Sequence, residues 1–270
     1  MDGYRYQSAI LSGCDEITKH EKELNRLNVS PIPDQDTGAN LKKTLIPLVE
    51  KFPVPESRIS IISQDMADSA VQSALGYSGI IFSQIFMGLA EALQNQQRIY
   101  ADNLSIVISN AVKKAYQSVE EPVKGTILSV LRECSEEVSG ICSETGDFAQ
   151  ILEISYQKAL VALNNTPNQL EVLRKNKVVD AGGKAFVYFL EGILDFVKNG
   201  KLERISSDRI FSQEYVLRDS AASPYCVECC VKAQNLNRKG LIKKLNRIGQ
   251  DLIFYGATHF AKFHINIQNP

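Results

Sequence analysis

Apolar residues recur at helical spacing along the first 200 residues of the chain. From Tyr4 to Leu27 they fall every three or four positions with charged residues between them, which predicts one amphipathic helix ending near Asn28. The spacing resumes after Asp36, with Pro47 as an expected kink or stop, and a further helix is predicted from Ile59 to Ser73. About eight helices joined by short turns, without a strand signal before about residue 205, predict a mainly α domain.

The pattern changes after about residue 205. "EYVLRDS" and "YCVECCVKA" resemble strands, "RKGLIKKLNRIG" a helix, and "DLIFYGATHFAKFHINI" two strands around a glycine-containing turn. We therefore predict a helical domain over residues 1–203 and a small α/β domain over residues 204–270. Because "NIQNP" directly follows a predicted strand, we expect a truncated chain or a missing downstream partner.

Composition and charge disfavour several classes of protein. The 270 residues carry 30 basic and 31 acidic side chains, so a net charge of -1 provides no field to attract nucleic acid or an anionic membrane surface. No window approaches the ~20 apolar residues of a membrane span, and the first residues lack a secretory signal pattern. We predict a soluble, cytoplasmic protein whose six cysteines are reduced thiols.

The segment "NVSPIPDQDTGANL" interrupts the helical pattern with two carboxylates. Asp34 and Asp36 could both present oxygens to Mg²⁺, which prefers oxygen ligands. Thr37, Gly38 and Asn40 follow at a predicted helix start, where free backbone N–H groups and the positive end of the helix would favour a phosphate. The alternative is that Asp36 is only an N-cap and the prolines shape a surface turn.

Three further glycine-containing turns precede predicted helices. By itself, each turn is no more typical of a phosphate site than of a helix cap or a turn between helices. If the helices surround a common mouth, all four turns could meet one nucleotide with Mg²⁺. The turns are "ALGYSG" with Gly76, Ser78 and Gly79, "EPVKGTIL" with Gly125 and Thr126, and "VVDAGGKAF" with Asp180, Gly182 and Gly183.

Four long motifs carry a family resemblance. "LNRLNVSPIPDQDTGANL", "SGIIFSQIFMGL", "EPVKGTILSV" and "NTPNQLEVLRKNKVVDAGGKAF" resemble, in this order and spacing, the ATP-binding subunit of bacterial fatty-acid kinase. Its N-terminal domain is in turn similar to DhaL, the L subunit of dihydroxyacetone kinase, and the segment from "SPYCVECCVKA" to "HINIQNP" resembles the start of its middle domain. The resemblance implies an eight-helix antiparallel barrel with ATP at one open end, followed by a small α/β domain.

The resemblance also implies roles for individual residues. Asp34 and Asp36 would be the catalytic Mg²⁺ ligands, and Asn28 lies near a third metal position. The phosphates would be surrounded by Thr37, Gly38, Asn40, Ser78, Gly79 and Thr126, while Asp180, Gly182 and Gly183 would lie near the adenosine. As in that family, the acceptor would be a fatty-acid carboxylate presented by a DegV-type binding protein or fused domain. Nothing in the chain is expected to hold an acyl chain by itself. A homodimer is left open.

The sequence departs from the family pattern at several positions. Gln35 stands where the family has a glycine, and Leu75 and Tyr77 stand where it has an arginine and an asparagine. Losing a guanidinium removes a fixed positive charge, so Mg-ATP binding is expected to survive better than fast phosphoryl transfer.

The middle domain of the family can bind zinc through one cysteine and two histidines. Cys226 and His264 match two of these ligands, but Asn266 replaces the second histidine, and a neutral amide is a poor zinc ligand. The alternative to a zinc site is that Cys226 is a buried thiol and His264 is a core histidine.

Three functions are considered on this evidence. The first is a kinase subunit that forms an acyl phosphate. The second is a degenerate, regulatory relative that docks a lipid-binding partner without fast phosphoryl transfer, motivated by Gln35, Leu75 and Tyr77. A dihydroxyacetone kinase subunit with a phosphoprotein donor is less favoured, because the C-terminal residues resemble the fatty-acid family.

Overall fold

The computed structural model describes residues 1–31, 33–51, 56–200, 225–232, 237–257 and 260–267. The chain divides into two compact units. One consists of Met1–Tyr116 and Pro122–Glu203, and the other of Gln117–Glu121 and Arg204–Pro270. The predicted segment "EYVLRDS" lies outside the described residues.

Ten helices make up the described part of the first unit. Eight have 15 or more residues, while α2 and α9 have seven and six. The mainly α fold class predicted from the sequence is confirmed. The helices are α1 Gly3–Lys19, α2 Glu21–Leu27, α3 Thr37–Lys51, α4 Ile59–Ser73, α5 Gly76–Leu93, α6 Ala101–Gln117, α7 Ile127–Ile141, α8 Phe148–Gln169, α9 Glu171–Asn176 and α10 Ala181–Asn199.

Two local predictions were wrong. The helix expected from Tyr4 to Leu27 is broken at His20, whose φ of -101° and ψ of 17° are not helical. Of the kink or stop expected at Pro47, the stop does not occur, since α3 continues to Lys51. Gly182 and Gly183 belong to the first turn of α10 and do not form a turn between helices, because Asp180 caps the helix directly before them.

The core of the first unit lies between α1, α5 and α10. The backbone of α1 approaches α10 closely, since a Cβ atom at Gly13 would lie 2.5 Å from the ring of Phe189. Phe189 also packs edge-on against Phe82 and Phe86, with ring centroids 5.9 Å apart in both pairs. Side chains from α1, α5, α6, α7, α8 and α10 line an apolar cavity of about 120 Å³. None of the helices among the described residues is long and apolar enough to cross a membrane.

The second unit contains a three-stranded sheet and one helix in its described part. The strands β1 Tyr225–Lys232, β2 Gln250–Ala257 and β3 Phe260–Ile267 lie in the order β1-β3-β2, and both pairs are antiparallel. The helix is α11 Arg238–Leu245. These elements match the strands and the helix predicted for this part of the sequence. Buried side chains of Leu245, Phe254, Phe263 and Ile265 form its core.

Candidate functional site

The two aspartates lie on the loop that connects α2 to α3. Asp34 is exposed and Asp36 is half-buried, while the residue between them, Gln35, has a φ of +57°. Asn28 is buried, and its Nδ2 donates a hydrogen bond to Oδ1 of Asp34. The carbonyl oxygen of Asp36 accepts a hydrogen bond of 2.8 Å from the backbone nitrogen of Asn40, which begins the ladder of α3. The predicted metal ligands therefore share one loop, and two of them are in direct contact.

The first backbone amides of α3 are not available as predicted. The side-chain oxygen Oδ1 of Asn25, on α2, accepts hydrogen bonds from the backbone nitrogens of Gly38 at 2.7 Å and Ala39 at 3.1 Å. A Cβ atom at Gly38 would overlap the carbonyl oxygen of Glu21, so α2 covers this turn closely. The expectation that these N–H groups are free to bind a phosphate is wrong for Gly38. Its missing side chain allows α2 to pack against α3.

Helix α3 joins the aspartate loop to the "GYSG" turn at the start of α5. The Thr44 hydroxyl donates to the carbonyl oxygen of Asn40 at 2.8 Å and accepts from the backbone nitrogen of Leu75 at 3.1 Å. Gly76, with a φ of +61°, packs against the Asn40 side chain, and Gly79 packs against Thr44. Two of the four predicted turns therefore lie side by side.

The other two predicted turns meet at a buried carboxylate. Oδ2 of Asp180 accepts a 2.7 Å hydrogen bond from the backbone nitrogen of Gly183, and the carboxylate also accepts from the backbone nitrogens of Gly182 and Ile127. Burial raises the pKa of Asp180 to about 6, and the three hydrogen bonds oppose this rise. Gly183 packs against the Val130 side chain. Asp180 thus holds the starts of α7 and α10 together.

Thr126 and Ser78 occupy the first turns of their helices in different ways. Thr126 is at the N-cap position of α7, but its hydroxyl donates to the carbonyl oxygen of Val123 at 2.8 Å and caps nothing. Ser78 is half-buried in the first turn of α5. Thr37 and Asn40 are buried on α3.

The short helix α2 contacts both α3 and α10. Besides covering the start of α3, it supplies Glu23, whose carboxylate accepts a 2.7 Å hydrogen bond from the hydroxyl of Tyr188 on α10. The ring of Tyr188 stacks on His20 with centroids 3.8 Å apart, and Lys184 Nζ lies 4.5 Å from the same ring. Burial and the nearby Glu23 raise the pKa of Tyr188. Tyr188 on α10 therefore contacts both the residue after α1 and the short helix α2.

Sequence reasoning missed Asn25 and the aromatic cluster of His20 and Tyr188. Asn25 lies 13 residues before Gly38 and has no local motif, so its contact with α3 depends on how α2 folds back. Tyr188 and Glu23 are 165 residues apart. Neither contact leaves a signal in the spacing of the sequence.

The donor set of the aspartate loop fits magnesium. No group of three or more His, Cys, Asp or Glu residues capable of holding a metal occurs in the part of the chain that the structure describes. Mg²⁺, however, is commonly bound by one or two carboxylates, with water and substrate phosphates as the other ligands. The pair Asp34 and Asp36 satisfies this requirement.

The zinc prediction finds no support. In the backbone register of β1 and β3, Cys226 pairs with Asn266, while His264 pairs with Glu228. The backbone thus places an amide residue opposite the cysteine. A zinc ion held by Cys226 and His264 is not proposed further.

Comparison with known proteins agrees with the fold. A family model for the DAK2 domain matches residues 31–195. The chain therefore belongs to the DAK2-domain family. In a crystal structure of the dihydroxyacetone kinase from C. freundii, in complex with AMP-PNP and Mg²⁺, a similar fold covers 70% of this chain and 33% of that one, with a TM-score of 0.53 and 15% identity. The first unit thus has the DhaL-like helical fold.

Curated relatives extend the similarity to the whole chain. An uncharacterised protein of Staphylococcus haemolyticus is 27% identical over 284 residues, which cover 100% of this chain and 51% of the relative. An uncharacterised protein of Staphylococcus aureus strain USA300 is 27% identical over 285 residues, with 100% and 52% covered. The chain spans about half the length of the curated relatives it matches.

Proposed function

We propose that this chain is the Mg-ATP-dependent subunit of a kinase that phosphorylates the carboxylate of a fatty acid. The fatty acid would be presented by a DegV-type binding protein or domain. The observation that carries the proposal is the contact of the aspartate loop with the "GYSG" turn through Asn40 and Thr44. Membership of the DAK2-domain family and the AMP-PNP and Mg²⁺ of the solved relative support it.

The proposed roles follow from the contacts of the loop. Asp34 and Asp36 would hold Mg²⁺, and the bound ion would supply positive charge to offset the negative charge that develops during phosphoryl transfer. The hydrogen bond from Asn28 orients the Asp34 carboxylate. The backbone around Gly79 and the hydroxyl of Ser78 would face the phosphates. The Asp180 carboxylate accepts bonds from three backbone amides, so it would shape the adenosine side without touching the base.

The size of the internal cavity supports a separate acyl-binding partner. Its volume of about 120 Å³ is smaller than the ~150 Å³ of an engineered apolar cavity that admits benzene. A long acyl chain therefore needs a binding surface other than this cavity. A cytoplasmic location and a homodimer stay predictions.

A regulatory function is the second candidate. Leu75 precedes α5 where the family pattern has an arginine, so no guanidinium stands at this position to balance the charge of a triphosphate. A chain that binds a nucleotide and docks a lipid-binding partner, without fast transfer, would fit this substitution.

Nucleotide binding provides the first test. AMP-PNP with Mg²⁺ at 100 times its dissociation constant should raise the free energy of unfolding by about 2.7 kcal/mol, because only the folded chain binds it. We expect Asp34→Ala to abolish this gain. Asp102→Ala, which removes an exposed carboxylate from the first turn of α6, should keep it. Absence of a gain in the wild-type chain would remove the kinase function and leave a regulatory function that needs no nucleotide.

Turnover separates the two candidates. Incubation with ATP, Mg²⁺, a fatty acid and a DegV-type partner should produce an acyl phosphate, which hydroxylamine traps as a hydroxamate. Nucleotide binding without this product would favour the regulatory function.

A further inference from the structure

We propose that Asn25 is a positioning residue of the metal loop. Its side-chain oxygen binds two backbone amides at the start of α3, where an anion could otherwise bind. The nucleotide phosphates would therefore meet this loop through the metal ion and not through these amides. The inference rests on the proposed function, because it assigns the route by which the loop meets the nucleotide.

The contacts of α2 occupy two of the first amides of α3. Oδ1 of Asn25 lies 2.7 Å from the backbone nitrogen of Gly38 and 3.1 Å from that of Ala39, so one acceptor satisfies two donors. The carbonyl oxygen of Glu21 occupies the space that a Gly38 side chain would need. A salt bridge of 2.8 Å between Lys42 and Glu21 ties the same two helices together.

A neutral acceptor suits this position. The first N–H groups of a helix require acceptors, and a carboxylate would normally satisfy them well. Here Asp34 and Asp36 lie on the loop that leads into the same helix, and a third negative charge would repel both of them. The amide of Asn25 accepts both hydrogen bonds without adding charge.

Fixing the first turn of α3 also fixes the backbone of Asp36. The carbonyl oxygen of Asp36 accepts the hydrogen bond from the Asn40 backbone nitrogen. The amides of Gly38 and Ala39, which Asn25 holds, lie between these two residues. Asn25 therefore acts on the metal site through the helix and does not touch the metal itself.

The test measures metal affinity in the absence of nucleotide. Mn²⁺ is titrated into the full chain, and free Mn²⁺ is followed by electron paramagnetic resonance. We expect Asn25→Ala to weaken Mn²⁺ binding about tenfold, the effect of losing one well-placed hydrogen-bonded contact. Asn25→Asp keeps the acceptor oxygen and should bind Mn²⁺ no more than about threefold more weakly than the wild type.

A matched control separates positioning from general destabilisation. Asn103 accepts a 3.0 Å hydrogen bond from the backbone nitrogen of Tyr100 at the start of α6. That end of α6 adjoins Met1, because the terminal amine of Met1 donates to the carbonyl oxygen of Ile99. Asn103→Ala should lower the melting temperature to a similar degree and leave the Mn²⁺ affinity within about twofold. Circular dichroism verifies that each variant is folded.

Two results would overturn the inference. One is wild-type Mn²⁺ affinity in folded Asn25→Ala. The other is an affinity of the wild-type protein for ATP in EDTA that lies within about tenfold of its affinity for Mg-ATP. Such a result would mean that the protein holds the phosphates without metal. If the wild type binds Mn²⁺ in an Asn25-dependent way but binds no Mg-ATP, the proposed function fails and the positioning role stands. If it binds neither, both fail.

Discussion

Gln35 illustrates how one residue can keep a backbone conformation that its side chain disfavours. Its φ of +57° lies in the left-handed region, at a position where the family pattern has a glycine. The left-handed conformation costs a residue with a Cβ atom roughly 1–2 kcal/mol, whereas glycine adopts it freely. This strained residue lies between the two predicted metal ligands.

Replacing Gln35 by glycine should relieve this strain. We expect Gln35→Gly to raise the free energy of unfolding by about 0.5–1 kcal/mol, since the greater entropy of unfolded glycine offsets part of the gain. Urea denaturation measures the change. Lys177, with a φ of 55°, is the matched control, and Lys177→Gly should be stabilising by a similar amount. Destabilisation by Gln35→Gly would mean that the side chain makes contacts that outweigh its strain.

Individual site residues differ in how far the sequence could predict them. The shared loop of Asp34 and Asp36 could be predicted, because the two residues lie next to Pro31 and Pro33 in a break of the helical pattern. Asn25 could not, because its role depends on the fold of α2 over α3. Gly38 was predicted to offer a free N–H group to a phosphate. In the structure this N–H group is bound to Asn25, and the missing side chain of Gly38 permits α2 to pack against α3.

At the scale of helices, the apolar spacing predicted the elements better than their ends. The helix from Ile59 to Ser73 agrees with α4, because its apolar face repeats without interruption. The break at His20 escaped prediction, since no proline or glycine marks it. Gly182 and Gly183 were expected to form a turn, yet the Asp180 carboxylate caps their amides and starts a helix. The first boundary has no local sequence marker, and the second is set by a local side-chain cap.

The burial of Asp180 at the starts of α7 and α10 makes stability depend on pH. The pKa of Asp180 is about 6 in the folded chain, against an ordinary aspartate value of 3.8, so the folded chain binds more protons between these values than the unfolded chain does. Stability therefore falls as the pH rises from about 4 to about 6, by up to about 3 kcal/mol. Comparing urea unfolding of the wild type and Asp180→Asn across this range isolates the effect, because asparagine does not titrate.

The control for this experiment is another capping carboxylate. Asp147 is exposed and accepts a 2.9 Å hydrogen bond from the backbone nitrogen of Ala149 at the start of α8. Asp147→Asn removes a capping charge that is not buried. The measured quantity is the free energy of unfolding of the wild type minus that of Asp180→Asn. If this difference stays constant or grows as the pH rises, the assigned burial of Asp180 is contradicted.

For the whole molecule, the sequence predicted the class of fold but not how the four turns are grouped. Periodicity distinguishes helices from strands, and so indicates a helical unit followed by a small sheet. It does not say which helix ends are neighbours. The structure groups the turns in two pairs, one joined by Thr44 and the other by Asp180. Contacts between residues far apart in the chain determine this grouping.

The core that keeps these helices together converges on Phe189. Its ring packs against Phe82, Phe86 and Gly13, and it also lines the internal cavity. We expect Phe189→Ala to lower the free energy of unfolding by about 3–5 kcal/mol, because the removed ring enlarges a cavity that already exists. Urea denaturation measures the loss. Val161→Ala, at a side chain that is 63% exposed, should change stability by less than about 0.5 kcal/mol.

The same variant tests whether the metal loop depends on the core as a whole. Phe189 packs midway along α1 and α10, whereas the loop lies where α1 ends. In conditions where Phe189→Ala remains folded, its Mn²⁺ affinity should therefore stay within about twofold of the wild type. A tenfold loss of Mn²⁺ affinity in Phe189→Ala would equal the effect expected for Asn25→Ala. It would mean that core packing, and not the contact of α2 with α3, positions the aspartates.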